Sequence, residues 1–421
     1  MKASITKKMN IKSLKFHPLS LFRIGFGITA FVEISRYILN GWVDRFFVEP
    51  TLHLPWPGFF WVKAMPSWGM HTLFYVLGVT SILFAAGAFF RIVSWIWCLG
   101  WTYLFLIDIC LFQNHVYLIT LLSLLFCFSH AHYDLSWDAK RLNLNPKNIP
   151  GWELWLFRFQ WACVFFYGGI NKIHMDWLTG RTVTAMGLYK QLHFLPQETA
   201  VSLLSIGGLI FDLTIAPLLL WSRTRWFAMA ACGFFHVTNH FIFSQKSFMI
   251  GVFPLLSIFA LLLFLPHTSK WAFENKYTKC LVSMYIIGQI ILPLRHFMIP
   301  GDQLWTREGS TFAWNMKSRS VMGYTQMAWL DKDNQQFMPI DLTKHFKPFQ
   351  LIDIYTTPQI TWIAAQSLKD ELNKETIYAN TLVSLNKRNP SPIISHISPI
   401  TDQKWNWFTH NTWIILHPDL Q

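Results

Sequence analysis

Nine apolar stretches, each close to the roughly 20 residues a helix needs to cross a bilayer, fill the first three hundred residues of this chain. They fall at about 20–40, 69–90, 92–113, 115–131, 154–172, 200–221, 226–244, 247–266 and 280–298. In hydrocarbon every backbone N–H and C=O must be paired within the protein, which leaves only helices and closed barrels as spanning structures. The expected fold is a membrane all-α bundle of about nine transmembrane helices, followed by a small β-rich extracytoplasmic domain. Composition agrees, because 52% hydrophobic and 14% charged residues lie outside the range of soluble domains.

The charge is unevenly distributed. Residues 1–300 hold 24 Lys/Arg against 11 Asp/Glu, whereas residues 301–421 hold 11 of each, so the whole net charge of +13 resides in the first part. Loops rich in Lys/Arg stay cytosolic. Arg91, then Lys140, Arg141 and Lys147, then Arg223 and Arg225, then Lys270, Lys276 and Lys279 all fall on the side of the N-terminus. The basic excess orients loops and is not a nucleic-acid footprint. Residues 1–19 carry Lys2, Lys7, Lys8, Lys12 and Lys15 without a small-residue cleavage site, so they are expected to be a retained cytosolic segment. Residues 20–300 are the expected transmembrane domain. The loops 41–68 and 174–198, the turns at 113–115 and 244–246, and everything after residue 300 are assigned to the opposite side. The six cysteines lie in or beside apolar runs and show no disulfide framework or paired metal-ligand spacing.

After Pro300 the apolar runs shorten. Gly323 to Leu330, Gln350 to Tyr355, Thr381 to Leu385 and Thr412 to Leu416 read as strands, with a polar helix at about 359–375. These make up the β-rich domain expected over 301–421.

The charge-derived topology brings Asn114 and His115, which open one helix, to the same outer depth as Asn171 and Lys172, which close another. A lysine beside apolar surface is a candidate base, and a neighbouring His or Asn can hold an oxyanion. The bland alternative is a set of interfacial anchors with a snorkelling lysine. Glu33, Arg36, Asp108 and Asp212, inside apolar runs, are expected to form structural ion pairs or helix–helix hydrogen bonds. His236 and His240 share a helical face, but with no third ligand in spacing no metal site is expected. In Trp305 to Ser320, Arg307, Lys317 and Arg319 beside serines could grip a carboxylate or attract anionic headgroups.

Taken in order, these stretches resemble the vitamin K-dependent gamma-glutamyl carboxylase family, whose members are related to the horizontally transferred transmembrane domain. The resemblance runs through Phe22 to Arg36, IDICLFQNHVYL (Ile107 to Leu118), SHAHYDLSWD (Ser129 to Asp138), FFYGGINKIHMDWLTG (Phe165 to Gly180), GGLIFDLT (Gly207 to Thr214), FFHVTN (Phe234 to Asn239), LPLRHF (Leu292 to Phe297) and WTREGSTFAWNMKSRS (Trp305 to Ser320). It implies that Lys172 deprotonates a reduced vitamin K, a phylloquinol or menaquinol. Oxygenation with O₂ then drives γ-proton removal from a peptidyl glutamate and CO₂ addition, and the quinone ends as its epoxide. It implies Lys172, His115 and Asn114 as catalytic, with Tyr117, Asn171, His236 and Asn239 around the quinone. It implies Arg319, Ser320, Lys317 and Trp314 on the glutamate side, with Lys317 standing near the place of a histidine in animal members. Implied partners are a glutamate-containing peptide or protein and membrane lipids. Two other readings stay open: quinol epoxidation without carboxylation, and a non-enzymatic lipid- or partner-binding membrane module.

Overall fold

A computed structural model of the chain describes residues 16–243, 251–273, 275–331, 333, 335–395 and 398–417. Most of the basic N-terminal segment and the turn at 244–246 therefore lie outside the described residues.

The helices form where the apolar runs place them: α1 (Pro18–Leu39), α2 (Ser67–Ala86), α3 (Phe90–Ile107), α4 (Asn114–Phe128), α5 (Gly151–Ile170), α6 (Gln197–Leu220), α7 (Arg225–Phe243), α8 (Val252–Phe264) and α9 (Lys276–Met298). Five of them, α1, α2, α3, α6 and α9, are long and apolar enough to cross a membrane; α4 and α8 are apolar but shorter. Two of the four exceptions have local causes. Helix α4 stops at Phe128, where Ser129 turns to extended backbone, and α5 carries Glu153 and Arg158 within its length. Both are paired inside the protein. Glu153 accepts from the His130 backbone N–H at 2.8 Å, and Arg158 Nε donates to the Leu263 carbonyl at 2.7 Å.

Helix α1 runs through the middle of the bundle. His17 caps it by accepting the Leu19 N–H at 3.2 Å, and Pro18 supplies the preset first turn. Close packing depends on small residues, as is usual where hydrocarbon gives helices no hydrophobic reason to associate. A Cβ on Gly27 would stand 2.6 Å from the Ala85 backbone nitrogen, so only glycine lets α1 and α2 meet there. Around this crossing Phe22, Phe26, Phe84, Phe126 and Phe157 pack ring on ring at centroid separations of 4.6–6.5 Å. The outward faces of α2, α3, α6 and α9 show Val79, Ile92, Leu99, Ile210 and Ile287, which suits lipid as solvent.

The C-terminal part is a four-stranded antiparallel sheet of order β2-β1-β3-β4, with β1 Val321–Asp331, β2 Gln336–Ile340, β3 Tyr378–Leu385 and β4 Ser391–Ile394. The inward residues Met327, Ala379, Val383 and Leu385 share a buried core with Ile363, Ala364 and Leu368 of helix α11 (Pro358–Glu371). The strands expected at 323–330 and 381–385 and the polar helix are present. Gln350 to Tyr355 is not a strand, because Pro348 opens helix α10 (Pro348–Ile354) and the Gln350 side chain accepts the Lys347 N–H at 2.9 Å, a capping arrangement that outweighs local β propensity. Thr412 to Leu416 contributes a single bridge, Ile394 to Ile414.

Several contacts seat this domain on the bundle. Asp176 holds Arg388 through two hydrogen bonds of 2.5 and 2.6 Å. Gln350 Nε2 donates to Asp108 at 2.8 Å. Trp56 stacks between Phe105 and Phe312 at 4.9 and 5.2 Å.

Candidate functional site

Lys172 follows the last turn of α5, at the end of the bundle that faces the domain. Its ammonium donates to the Gly168 carbonyl at 3.1 Å and contacts the Asp212 carboxylate of α6. Both side chains are buried, with 8% and 6% of their surface exposed. The Trp177 ring lies 5.3 Å away on another side. The glycine pair of α5 makes this meeting possible: a Cβ on Gly169 would stand 2.7 Å from Leu213 Cδ2 and 3.2 Å from the Leu213 backbone nitrogen. In α6 a π-helical turn at Leu203–Gly207 precedes Asp212, a feature that re-aims the following residues. Lys172 is thus not enclosed by apolar surface alone. Asp212, expected as one member of a structural pair, is its ionic partner.

The segment 303–318 lies across the ends of α4 and α5 as a strap, and two asparagines hold it. Asn114 Nδ2 donates to the Asn315 carbonyl at 3.0 Å, and Asn171 Nδ2 donates to the Ala313 carbonyl at 2.5 Å. Gln303 donates to Asn171 Oδ1 at 3.0 Å, and the Ser318 hydroxyl bonds Asn315. Four non-glycine residues of the strap, Arg307, Phe312, Trp314 and Lys317, have φ between 53° and 66°. Left-handed backbone costs about 1–3 kcal/mol per residue and persists where surrounding structure enforces it, often at functional sites. Its aromatic residues face the bundle. Tyr117 of α4 packs on Phe312 and Trp314 at 4.8 and 5.0 Å, while Trp314 is fully buried with its indole N–H unpartnered. From α9, Gln289 reaches the Tyr117 hydroxyl at 3.4 Å and Arg295 donates to the Thr311 carbonyl at 2.6 Å.

His115 faces a carboxylate of its own. Its Nε2 lies 3.8 Å from Glu33 of α1, whose other oxygen accepts from Arg36 at 3.2 Å. No direct contact joins His115 to Lys172 among the described residues. His236 is 1% exposed, with both ring nitrogens unpartnered. It sits among Phe165, Phe235 and Phe253 at 5.5–5.9 Å, and Phe235 stacks at 3.8 Å on Phe211, the neighbour of Asp212. Asn239 is half-buried one turn further along α7.

The residues expected on the glutamate side are spread out. Trp314 belongs to the strap's buried face. Lys317 is exposed. Ser320 is fixed through its backbone, donating to Asn386 Oδ1 at 2.8 Å and accepting the Asn386 N–H at 2.8 Å. Arg319 donates to the Leu304 carbonyl at 2.9 Å and to the Thr357 hydroxyl at 3.4 Å. Its pKa is held well below the usual arginine range, by burial first and then by the Arg307 cation nearby. Sequence reasoning missed Asp212 as the partner of Lys172 and Glu33 as the group facing His115. The sequence predicts both as members of structural ion pairs or helix–helix hydrogen bonds, with no partner named.

Residues 12–271 match the HTTM domain, and residues 274–419 match the lumenal domain of vitamin K-dependent gamma-carboxylase. No solved structure matches the chain. The two matches follow one another along nearly the whole sequence, and the sheet-bearing part coincides with the second. This is a multi-pass membrane protein with an extracytoplasmic C-terminal domain, and the chain belongs to the vitamin K-dependent gamma-carboxylase family.

Proposed function

We propose that the protein is a membrane carboxylase that couples oxidation of a reduced naphthoquinone to its epoxide with addition of CO₂ to the γ-carbon of a peptidyl glutamate. The observation that carries this reading is the buried Lys172–Asp212 pair beneath the strap that Asn114 and Asn171 hold. A lysine acts as a base only as the neutral amine, so Lys172 would first pass its ammonium proton to a neighbouring carboxylate and regain a positive charge, stabilised by its polar neighbours, when it takes the quinol proton. Asp212 is in position to receive that first proton, and the Gly168 carbonyl fixes a second ammonium hydrogen. When bound, the reduced naphthoquinone supplies, through its reaction with O₂, the strong base that a γ-C–H bond requires.

The residues present fit such a group. Its aromatic head needs flat apolar walls and a few polar contacts. Tyr117, Phe312 and Trp314 offer rings, and the orphaned Trp314 N–H is a buried donor seeking a partner. His236 offers two more unpartnered nitrogens on the α7 side. His115, with Glu33 behind it, is the proposed polar group at the reacting centre, with Asn114 beside it and Asn171 and Asn239 toward the quinone. Arg319, with Ser320, Lys317 and Trp314, is proposed to receive the glutamate. In this reading residues 20–300 cross the membrane nine times from a cytosolic segment 1–19, and residues 301–421 form the outer domain.

The test is a reconstituted assay with reduced vitamin K, a glutamate-containing peptide and labelled CO₂. Lys172→Ala is expected to abolish both epoxide and labelled peptide; turnover unchanged by that substitution would refute the assignment. A second reading, quinol epoxidation without carboxylation, draws on Lys317 being exposed and on Arg319 already spending donors on Leu304 and Thr357. Epoxide formation with no label entering peptide would select it.

A further inference from the structure

Where the strap enters the outer domain, Arg319 bridges the Leu304 carbonyl and the Thr357 hydroxyl at 2.9 and 3.4 Å, between the turn Gln303–Thr306 that Arg307 closes and the end of α10, where the Asp353 carbonyl accepts the Thr357 N–H at 2.9 Å. Such a group is usually a closed set of ion pairs. Here it is open. Among the described residues, neither guanidinium comes within 4 Å of a carboxylate, no side-chain donor of Arg307 is taken, and its buried Nε has no partner. The other acids nearby are already committed: Asp302 accepts the Leu304 N–H at 2.7 Å, and Asp108 accepts from Cys110 N–H and Gln350 at 2.9 and 2.8 Å.

A buried N–H without a hydrogen bond, as at Arg307 Nε, is costly, and two like charges at one junction add to that cost. Burial lowers the pKa of Arg307 to about 10, and burial raises that of Asp353 to about 6 against the pull of Arg319 and Arg307. Two arginines face one aspartate, so the trio carries one more cation than its own carboxyl can pair, and one further carboxylate would match it. Arginine's planar fork suits a carboxylate better than any other single side chain. The left-handed backbone at Arg307, φ 62°, holds the residue just after the turn Gln303–Thr306, and Arg319 is anchored to Leu304 of that same turn. The strap then runs from this junction to Met316, whose Cε would stand 3.0 Å from a Cβ on Gly168, beside the Lys172 pair.

We propose that Arg307 joins Arg319 in a two-arginine cradle for the carboxylate of an acidic peptide side chain, with Asp353 as the resident carboxyl that competes with it for the two cations. This deepens the proposed carboxylase reading, on which the peptide's identity rests, by adding Arg307 as a binding residue and Asp353 as one that weakens binding.

The experiment measures binding of a capped glutamate-containing peptide to the full-length protein in nanodiscs, without quinol, O₂ or CO₂. Failure of the redox chemistry then leaves the binding result intact. The glutamate peptide is expected to bind and its glutamine isostere to bind at least tenfold more weakly. Arg307→Gln is expected to weaken glutamate binding roughly ten- to a hundredfold, the worth of a charge-assisted hydrogen bond, and Arg307→Lys to fall between. Asp353→Asn is expected to tighten it severalfold, an effect that a merely structural aspartate would not produce. Should Arg307→Gln fail to fold, Arg307→Lys and Asp353→Asn still decide. Equal affinity for the two peptides, unchanged affinity in both Arg307 variants, or weaker binding in Asp353→Asn would overturn the proposal.

Discussion

Lys172 and Asp212 are separated by forty residues in sequence and share one buried contact, so each sets the chemistry of the other. Removing one member of a buried ion pair strands the other charge and typically costs about 3–5 kcal/mol, whereas replacing both with apolar groups of similar volume is often neutral. Asp212→Asn is therefore expected to lower the unfolding temperature in detergent and to cut epoxide formation at least tenfold, because Lys172 loses the carboxylate that takes its ammonium proton. Asp212→Glu should recover part of the activity, and Lys172→Met with Asp212→Leu should recover stability without activity. Wild-type turnover in Asp212→Asn would remove Asp212 from the site. At this scale the sequence was informative about which residues are unusual and silent about which of them meet. Lys172, His115, Glu33 and Asp212 all stand out as polar groups in apolar runs. That Glu33 faces His115 and Asp212 faces Lys172 depends on how helices rotate against one another, which hydropathy does not encode.

Among the elements, each apolar run holds a helix, because hydrocarbon leaves a spanning run few other conformations, but the run 92–113 leaves the helix at Ile107, where Asp108 turns extended and its side chain accepts the Cys110 N–H at 2.9 Å. The short segments of the outer domain were harder to assign. Gln350 to Tyr355 looks like a strand by composition, and only the proline at its start and the glutamine cap turn it into α10. The strap was legible as a cationic segment. Its left-handed residues were not, since Phe312 and Trp314 are types that avoid positive φ when nothing enforces it. The approach of α5 to α6 makes a sharper test. Gly169→Ala would drive a methyl group to 2.7 Å from Leu213 Cδ2 and 3.2 Å from its backbone nitrogen. Overpacking of this kind costs about 1–3 kcal/mol, and the shift it forces on α6 would draw Asp212 off Lys172. The expected result is a modest loss of thermal stability with a disproportionate loss of epoxidation. Equal, small losses of both would mean that the helix spacing does not set the site.

For the molecule as a whole, the site takes its walls from both parts: α4, α5 and α6 supply polar groups, and the strap that closes over them leads directly into β1. The charge profile of the loops correctly assigned the C-terminal part to the outer side, yet nothing in the sequence marked how that part is held to the bundle. Asp176, in the motif after Lys172, binds Arg388 across 212 residues, with Asn386 donating to the same carboxylate at 2.7 Å. Burial pushes the Asp176 pKa up, and the bonds from Arg388 and Asn386 bring it below the ordinary carboxylate value, so the pair is ionised at neutral pH. Asn386 also pairs with the backbone of Ser320, where the strap becomes β1. The clamp thus fixes the far end of the strap relative to the helix turn that follows Lys172. Arg388→Gln, which leaves Asp176 half-served, is expected to speed hydrogen exchange in 312–320 while exchange in the aromatic core of α1, α2 and α4 stays unchanged. It should raise KM for peptide more than it lowers kcat, because Lys172 and Asp212 stay in place while the segment beside them loosens. Protection in the strap unaltered by this substitution would mean that the two asparagines, Asn114 and Asn171, hold it without help from the outer domain.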